Sequence, residues 1–129
     1  MNNSIAEIRS QIKQLIADQT NEETYQDIVP EGSEAGYLVE LKLIGIDAKT
    51  IDGSAGLIPC DVDVLCYSFN SREESDQLAD KLIGLLNNKT SSFFQRIRVT
   101  NILSLDFFES EGAFMVQLSF DFVVRANGF

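Results

Sequence analysis

The strongest constraint on this chain lies in its last third, where two stretches alternate apolar and polar residues around a short turn. Ile97, Val99, Leu103, Leu105 and Phe107 share one face of the first stretch, and Phe114, Val116, Leu118, Phe120, Phe122 and Val124 share one face of the second. Alternation of period two is the signature of a half-buried strand. With a turn at Glu109 to Gly112 the two stretches pair as a long antiparallel hairpin, Phe107 opposite Phe114, Leu105 opposite Val116, Leu103 opposite Leu118 and Val99 opposite Phe122. A slip of one residue would turn a whole row of large side chains to water, so this register is expected to be firmly specified.

A second hairpin precedes it. Tyr37 to Ile44 alternates with Tyr37, Val39, Leu41 and Leu43 on one side, and Asp61 to Tyr67 alternates with Val62, Val64 and Cys66 on one side. A two-residue turn at Asp52-Gly53 would set Leu43 against Val62, Leu41 against Val64 and Val39 against Cys66, and would place Lys42 across from Asp63 as an ion pair on the other face. Residues 46–59 then form an extension rich in Gly and small residues, either a projecting arm or a surface loop. Tyr25 to Val29 is a short strand candidate, closed by Pro30 and Gly32 and suited to a sheet edge.

Two segments have helical period instead. Ile5, Ile8, Ile12, Leu15 and Ile16 fall on one face within Met1 to Gln19, behind a Ser4/Glu7 capping box. Ser71 and Glu74 form a second capping box before a stripe of Leu78, Ala79, Leu82, Ile83, Leu85 and Leu86, which Asn87 and Asn88 end. Gly84 inside that helix implies either close packing on the sheet or a tolerated cost of up to about 1 kcal/mol.

Helix, short strand, long hairpin, helix, long hairpin predicts a single α+β domain over 1–129. Its expected form is a two-layer sandwich, with a predominantly antiparallel sheet of four to five strands and both helices on one face. The uncovered face mixes Glu40, Lys42, Asp61, Asp63, Arg98, Gln117, Ser119, Asp121 and Arg125 with Leu38, Ile44, Leu65, Tyr67, Ile102, Met115 and Val123. That is too apolar for a sheet surface meant only for water, and points to a protein contact.

The residue inventory excludes most chemistry. There is no His, which removes the usual general base and the usual metal ligand. Cys60 and Cys66 lie about 20 Å apart along one strand, too far for a mutual disulfide and too few for a zinc site. Asp61 and Asp63, about 7 Å apart on one strand face, read as ion-pair partners of Lys42 rather than as cation ligands. Glu40-Leu41-Lys42 with Asp27 superficially resembles the acidic and E-x-K elements of restriction-type nucleases. However, 20 acidic against 10 basic residues, a formal charge of -10, would repel a phosphate backbone. No enzyme activity, cofactor or metal is expected, and no run of 18 apolar residues suggests a membrane span.

In its order of elements the chain resembles the tail-terminator (tail-completion) proteins of long-tailed phages, the lambda-type minor tail protein family. The resemblance runs the whole length. It rests on the first helix, the Tyr37-Leu38-Val39-Glu40-Leu41 strand, the Asp61 to Tyr67 strand leading into the Ser71 to Asn87 helix, and the closing hairpin ending Phe120-Asp121-Phe122-Val123-Val124. It implies a structural virion subunit, assembled in the host cytoplasm, that forms a hexameric ring on the tail tube, ends its polymerisation and joins a head-completion or connector protein. DNA would pass through such a ring without specific binding; six copies would carry about -60 of formal charge, which repels the genome but also the neighbouring subunits. The subunit contacts are therefore assigned to Ile46, Lys49, Ile51, Leu57 and Ile58 of the arm and to Arg96, Arg98 and Arg125. Other neck or head-completion connectors, or a small ferredoxin-like ligand-binding domain, are the alternatives.

Overall fold

The computed structural model describes residues 5–45, 57–108 and 112–125. Helix α1 (Ile5–Thr20) buries Ile8, Ile12, Ile16 and Thr20, a four-residue spacing that makes one apolar stripe. It ends where Thr20 Oγ1 donates to the Ile16 carbonyl (2.7 Å) and Asn21 turns left-handed (φ 57°), its N–H returning to the Ala17 carbonyl. Helix α2 (Arg72–Leu86) buries Ser75, Leu78, Ala79, Leu82 and Leu86.

Only half of the expected capping box forms. Ser71 Oγ accepts from the Glu74 N–H (3.1 Å), but the Glu74 carboxylate turns outward to accept from Ser68 Oγ (2.6 Å) and Asn70 Nδ2 (3.1 Å). Ser68 Oγ in turn takes the Ser71 N–H (3.2 Å), so the missing half is replaced by a residue of the preceding strand. Gly84 has open space where a side chain would stand, so the glycine is tolerated rather than required by packing.

Five strands follow as β1 (Thr24–Tyr25), β2 (Ala35–Ile44), β3 (Leu57–Ser68), β4 (Phe94–Phe108) and β5 (Ala113–Arg125), in the sheet order β1-β2-β3-β5-β4. β1 pairs parallel with β2, and every other neighbour is antiparallel. The expected strand at Tyr25 to Val29 thus shrinks to two residues, and the chain beyond it becomes a loop. The α2 connection carries the chain past β5, so β3 and β4 flank β5 and run in the same direction. Both helices bury their stripes on one side of this sheet, and the class is α+β as read from the sequence.

The register differs from expectation in both hairpins, for the same physical reason. In the first, Val39 faces Val64 and Leu41 faces Val62, two residues away from the expected pairing. A shift of two leaves every side chain on its face, so the hydrophobic pattern cannot detect it. A bulge between Leu41 and Leu43 then reverses parity: Leu43 becomes 58% exposed, while Ile44, opposite Cys60, packs against the core. Lys42 falls at the bulge and pairs with Glu40 of its own strand (3.4 Å); Glu40, not Lys42, stands across from Asp63.

In the second hairpin the pairing is irregular at three places along β4. Ile97 meets Phe122 and Val99 meets Phe120, both on the core face. An extra residue at Thr100 then moves Leu103 onto the opposite face, across from Gln117 and 47% exposed. β5 keeps its face throughout, with Val116, Leu118, Phe120, Phe122 and Val124 all buried.

The core centres on Phe94, Phe120 and Phe122, packed edge to face at centroid distances of 5.1 and 5.8 Å. Cys60 and Cys66 are free thiols buried within it, and burial pushes the Cys60 thiol up to about 12. Tyr37 is fully buried yet satisfied, its hydroxyl donating to the Leu78 carbonyl (2.7 Å) and so tying β2 to α2.

Candidate assembly surface

The helix-free face of the sheet has three zones, set by which strand residues alternate away from the core. The first lies at the end of the sheet where Tyr67 and Met115 pair. There the loop after β1 folds back over the sheet and roofs a groove of about 760 Å³ between Ile28, Val29 and Pro30 above and Leu38, Leu65, Tyr67, Phe69, Ala113 and Met115 below. Tyr67 and Phe69 stack edge to face at 5.9 Å along its floor.

Local chemistry explains why the loop takes this path. Gly36 lies against the backbone of Glu23, where any side chain would collide with the Glu23 carbonyl oxygen, and the closeness lets Tyr37 N–H donate to that carbonyl (2.9 Å). Gly32 (φ 96°) completes a turn in which Ser33 N–H returns to the Pro30 carbonyl. Ser33 Oγ then bridges Tyr67 Oη (2.7 Å) and Glu23 Oε2 (2.9 Å), while Tyr25 Oη donates to Glu23 Oε1 (3.1 Å). Burial chiefly raises the Tyr67 hydroxyl above its ordinary value, with Glu23 adding to it and the Ser33 bond opposing it.

The lip of this groove is acidic. Asp27, Glu31 and Glu34 are exposed and make no ion pair among the described residues, and the sequence has no Lys or Arg from residue 14 to residue 41. Lys81 of α2 reaches only as far as Glu22 (2.9 Å).

The second zone crosses the middle of the face. Glu40, Asp63 and Ser119 stand in one cross-strand row, and Asp61, Asp121 and Arg98 in the next. Asp63 is stabilised by Ser119 Oγ (2.9 Å) and Gln117 Nε2 (3.4 Å) instead of a cation. Among the described residues no group of three or more acidic or Cys side chains is arranged to hold a metal ion. The Glu40-Leu41-Lys42 triplet has its own lysine folded onto Glu40, as a half-exposed surface pair.

The third zone is the corner diagonally opposite the groove, where β4 begins and β5 ends. Arg96 and Arg98 are exposed and their side chains make no hydrogen bond or ion pair among the described residues, although Asp121 lies across from Arg98. Arg125 shares the corner, its backbone N–H donating to the Phe93 carbonyl (2.9 Å) and its Nε directed at the Ser91 carbonyl (3.4 Å).

Of the eight contact residues expected from the sequence, the structure gathers four at this corner: Arg96, Arg98, Arg125 and the half-buried Leu57, which pairs with Arg125. Ile58 is 1% exposed and belongs to the core, because Leu57, Ile58 and Pro59 are strand residues paired with β5 rather than part of an arm. Ile46, Lys49 and Ile51, with the Asp52-Gly53 turn, lie outside the described residues. The groove and its acidic lip were missed in the sequence. The available signal was the stretch of acids without a base that runs through the loop after β1.

No protein-family model matches this chain, and no curated protein matches it. Among solved structures it is similar to a chain of the virion of a native gene transfer agent particle, with a TM-score of 0.56 and 16% sequence identity over 90% of this chain and 88% of that chain. At that identity the likeness establishes a shared fold.

Proposed function

We propose that this chain is a structural virion protein and that, within that class, it caps the phage tail tube, ends its polymerisation and contributes to the head-tail joining surface. The observation that carries the proposal is the fold shared over 90% of this chain with a chain of a gene-transfer-agent virion. The open sheet face supports it: an apolar groove, an acidic band and a basic corner on one face suit a surface built for protein contacts. The reading assigns binding and no turnover. Its partners are further copies of itself in a ring, hexameric by the resemblance, the tail-tube protein on one side and a head-completion or connector protein on the other. DNA passes through without specific contacts, as the acidic charge balance favours.

The test adds the purified chain to polymerising tail-tube protein of the same particle and measures tube length by negative-stain imaging. Capping predicts short tubes with the protein at one end only. Tubes of unchanged length, or binding to portal complexes in preference to tubes, would place the chain elsewhere in the neck.

A further inference from the structure

We infer that the basic corner of one copy, Arg96 and Arg98, docks against the acidic lip of the groove, Asp27 and Glu31, on a second copy of this chain, in a head-to-tail contact. The inference names the surfaces by which copies would meet and rests on the assembly reading above.

Charge complementarity selects the occupant. The two arginines and the two lip carboxylates all lie on the surface without an ion pair among the described residues, and they sit at opposite corners of one sheet. The arginines are on the edge strand β4, across from Val123 and Asp121, and the carboxylates are in the loop over the end where Tyr67 and Met115 pair. Within one molecule they cannot meet, whereas between copies they can.

Apolar surface follows the same division. Leu103 is 47% exposed on the open side of the basic edge strand, with Ile102, 57% exposed, on the helix side of the same edge rather than on the uncovered face where the sequence put it. Ile28 and Phe69 are 77% and 44% exposed beside the groove. The β4 edge is also incompletely protected. Asn88 N–H caps the Ile97 carbonyl (2.7 Å) and Asn87 Oδ1 takes the Val99 N–H (3.0 Å), but beyond Val99 the described residues offer this strand no outer partner.

The acidic band decides the symmetry. A two-fold, face-to-face dimer would also bring each basic corner to an acidic lip, but it would stack Glu40, Asp61, Asp63 and Asp121 of one copy on those of the other. Edge-to-edge contact keeps these bands apart, and a contact that is not self-complementary continues from copy to copy until it closes.

The experiment is a charge swap read by sedimentation and native mass spectrometry near 0.15 M salt. Arg96→Glu with Arg98→Glu, and separately Asp27→Lys with Glu31→Lys, are each expected to weaken self-association by on the order of tenfold or more. Because all four residues are exposed, the melting temperature should not move at concentrations low enough for every form to be monomeric. Mixing the two double variants one to one restores opposite charges at every contact, and assemblies of alternating composition are expected. Wild-type association that neither double variant weakens overturns the contact, as does a wild-type chain still monomeric at about 1 mM. An assembly that closes at two copies overturns the head-to-tail arrangement. Assembly with the predicted charge dependence, in a protein that leaves tube growth unchanged, removes the capping proposal and keeps the contact.

Discussion

The two faces of this sheet are made from the same strands and meet different demands. On the helix side, the residues of β3 and β5 that point inward are almost completely buried, from Ile58 to Cys66 and from Val116 to Val124. No charged residue is among them. On the other side the same two strands carry Asp61, Asp63, Leu65 and Tyr67 and Met115, Gln117, Ser119 and Asp121, so acid, amide and hydrocarbon alternate within a few ångströms. One face supplies the burial that holds the domain together. The other mixes groups bonded within the molecule, such as Asp63 with Ser119 Oγ, and groups without an ion pair among the described residues, such as Arg96 and Arg98.

This division is broken most severely at the aromatic core. Phe122→Ala removes a ring with no exposure and two edge-to-face neighbours, and should cost about 3–5 kcal/mol of unfolding free energy, read by denaturant titration. A loss below about 1 kcal/mol would mean the helix side is not the structural one.

The alkaline limb of stability is the next probe. The Cys60 thiol is raised from 9.0 to about 12 by burial first and then by Asp121 and Asp61. Folding therefore favours the protonated form, so its contribution is complete below pH 9 and is lost as pH rises from about 9 toward 12. Melting temperature should fall across that window, and fall less steeply in Cys60→Ala.

Tyr37→Phe removes only the hydroxyl that donates to the Leu78 carbonyl, and about 1 kcal/mol is expected. The smallest effect belongs to the open side. Leu103→Ser should change stability by no more than about 0.5 kcal/mol, because the side chain is already half exposed. A larger loss would show that Leu103 is buried in the isolated chain and that the two faces are less distinct than described.

Legibility in the sequence follows the same line. Residues whose role depends on facing inward were readable: Ile8, Ile12 and Ile16 by helical spacing, Val62, Val64, Phe120 and Phe122 by alternation. The candidate contact residues were readable only in part. Arg96, Arg98 and Arg125 could be singled out as basic residues in an acidic chain, and the expected hairpin already brings them to one end of the sheet, but Leu57 joins them only because β3 pairs with β5. Ile58 was assigned to an arm because nothing local distinguishes the last residue of an extension from the first buried residue of a strand.

From its own pattern the chain determined its element types, their order and, short of the bulges that turn Leu43 and Leu103 outward, which side chains of each strand face the helices, because these depend on periods of two and of three to four residues carried by neighbours in sequence. Only the tertiary structure decided the register and the placement of the loop after β1. A two-residue slip is invisible to alternation, and a bulge at Lys42 or Thr100 depends on what lies across the sheet. The groove exists because Gly36 admits the Glu23 backbone and Ser33 reaches Tyr67, contacts between residues 13 and 34 positions apart that no local pattern encodes.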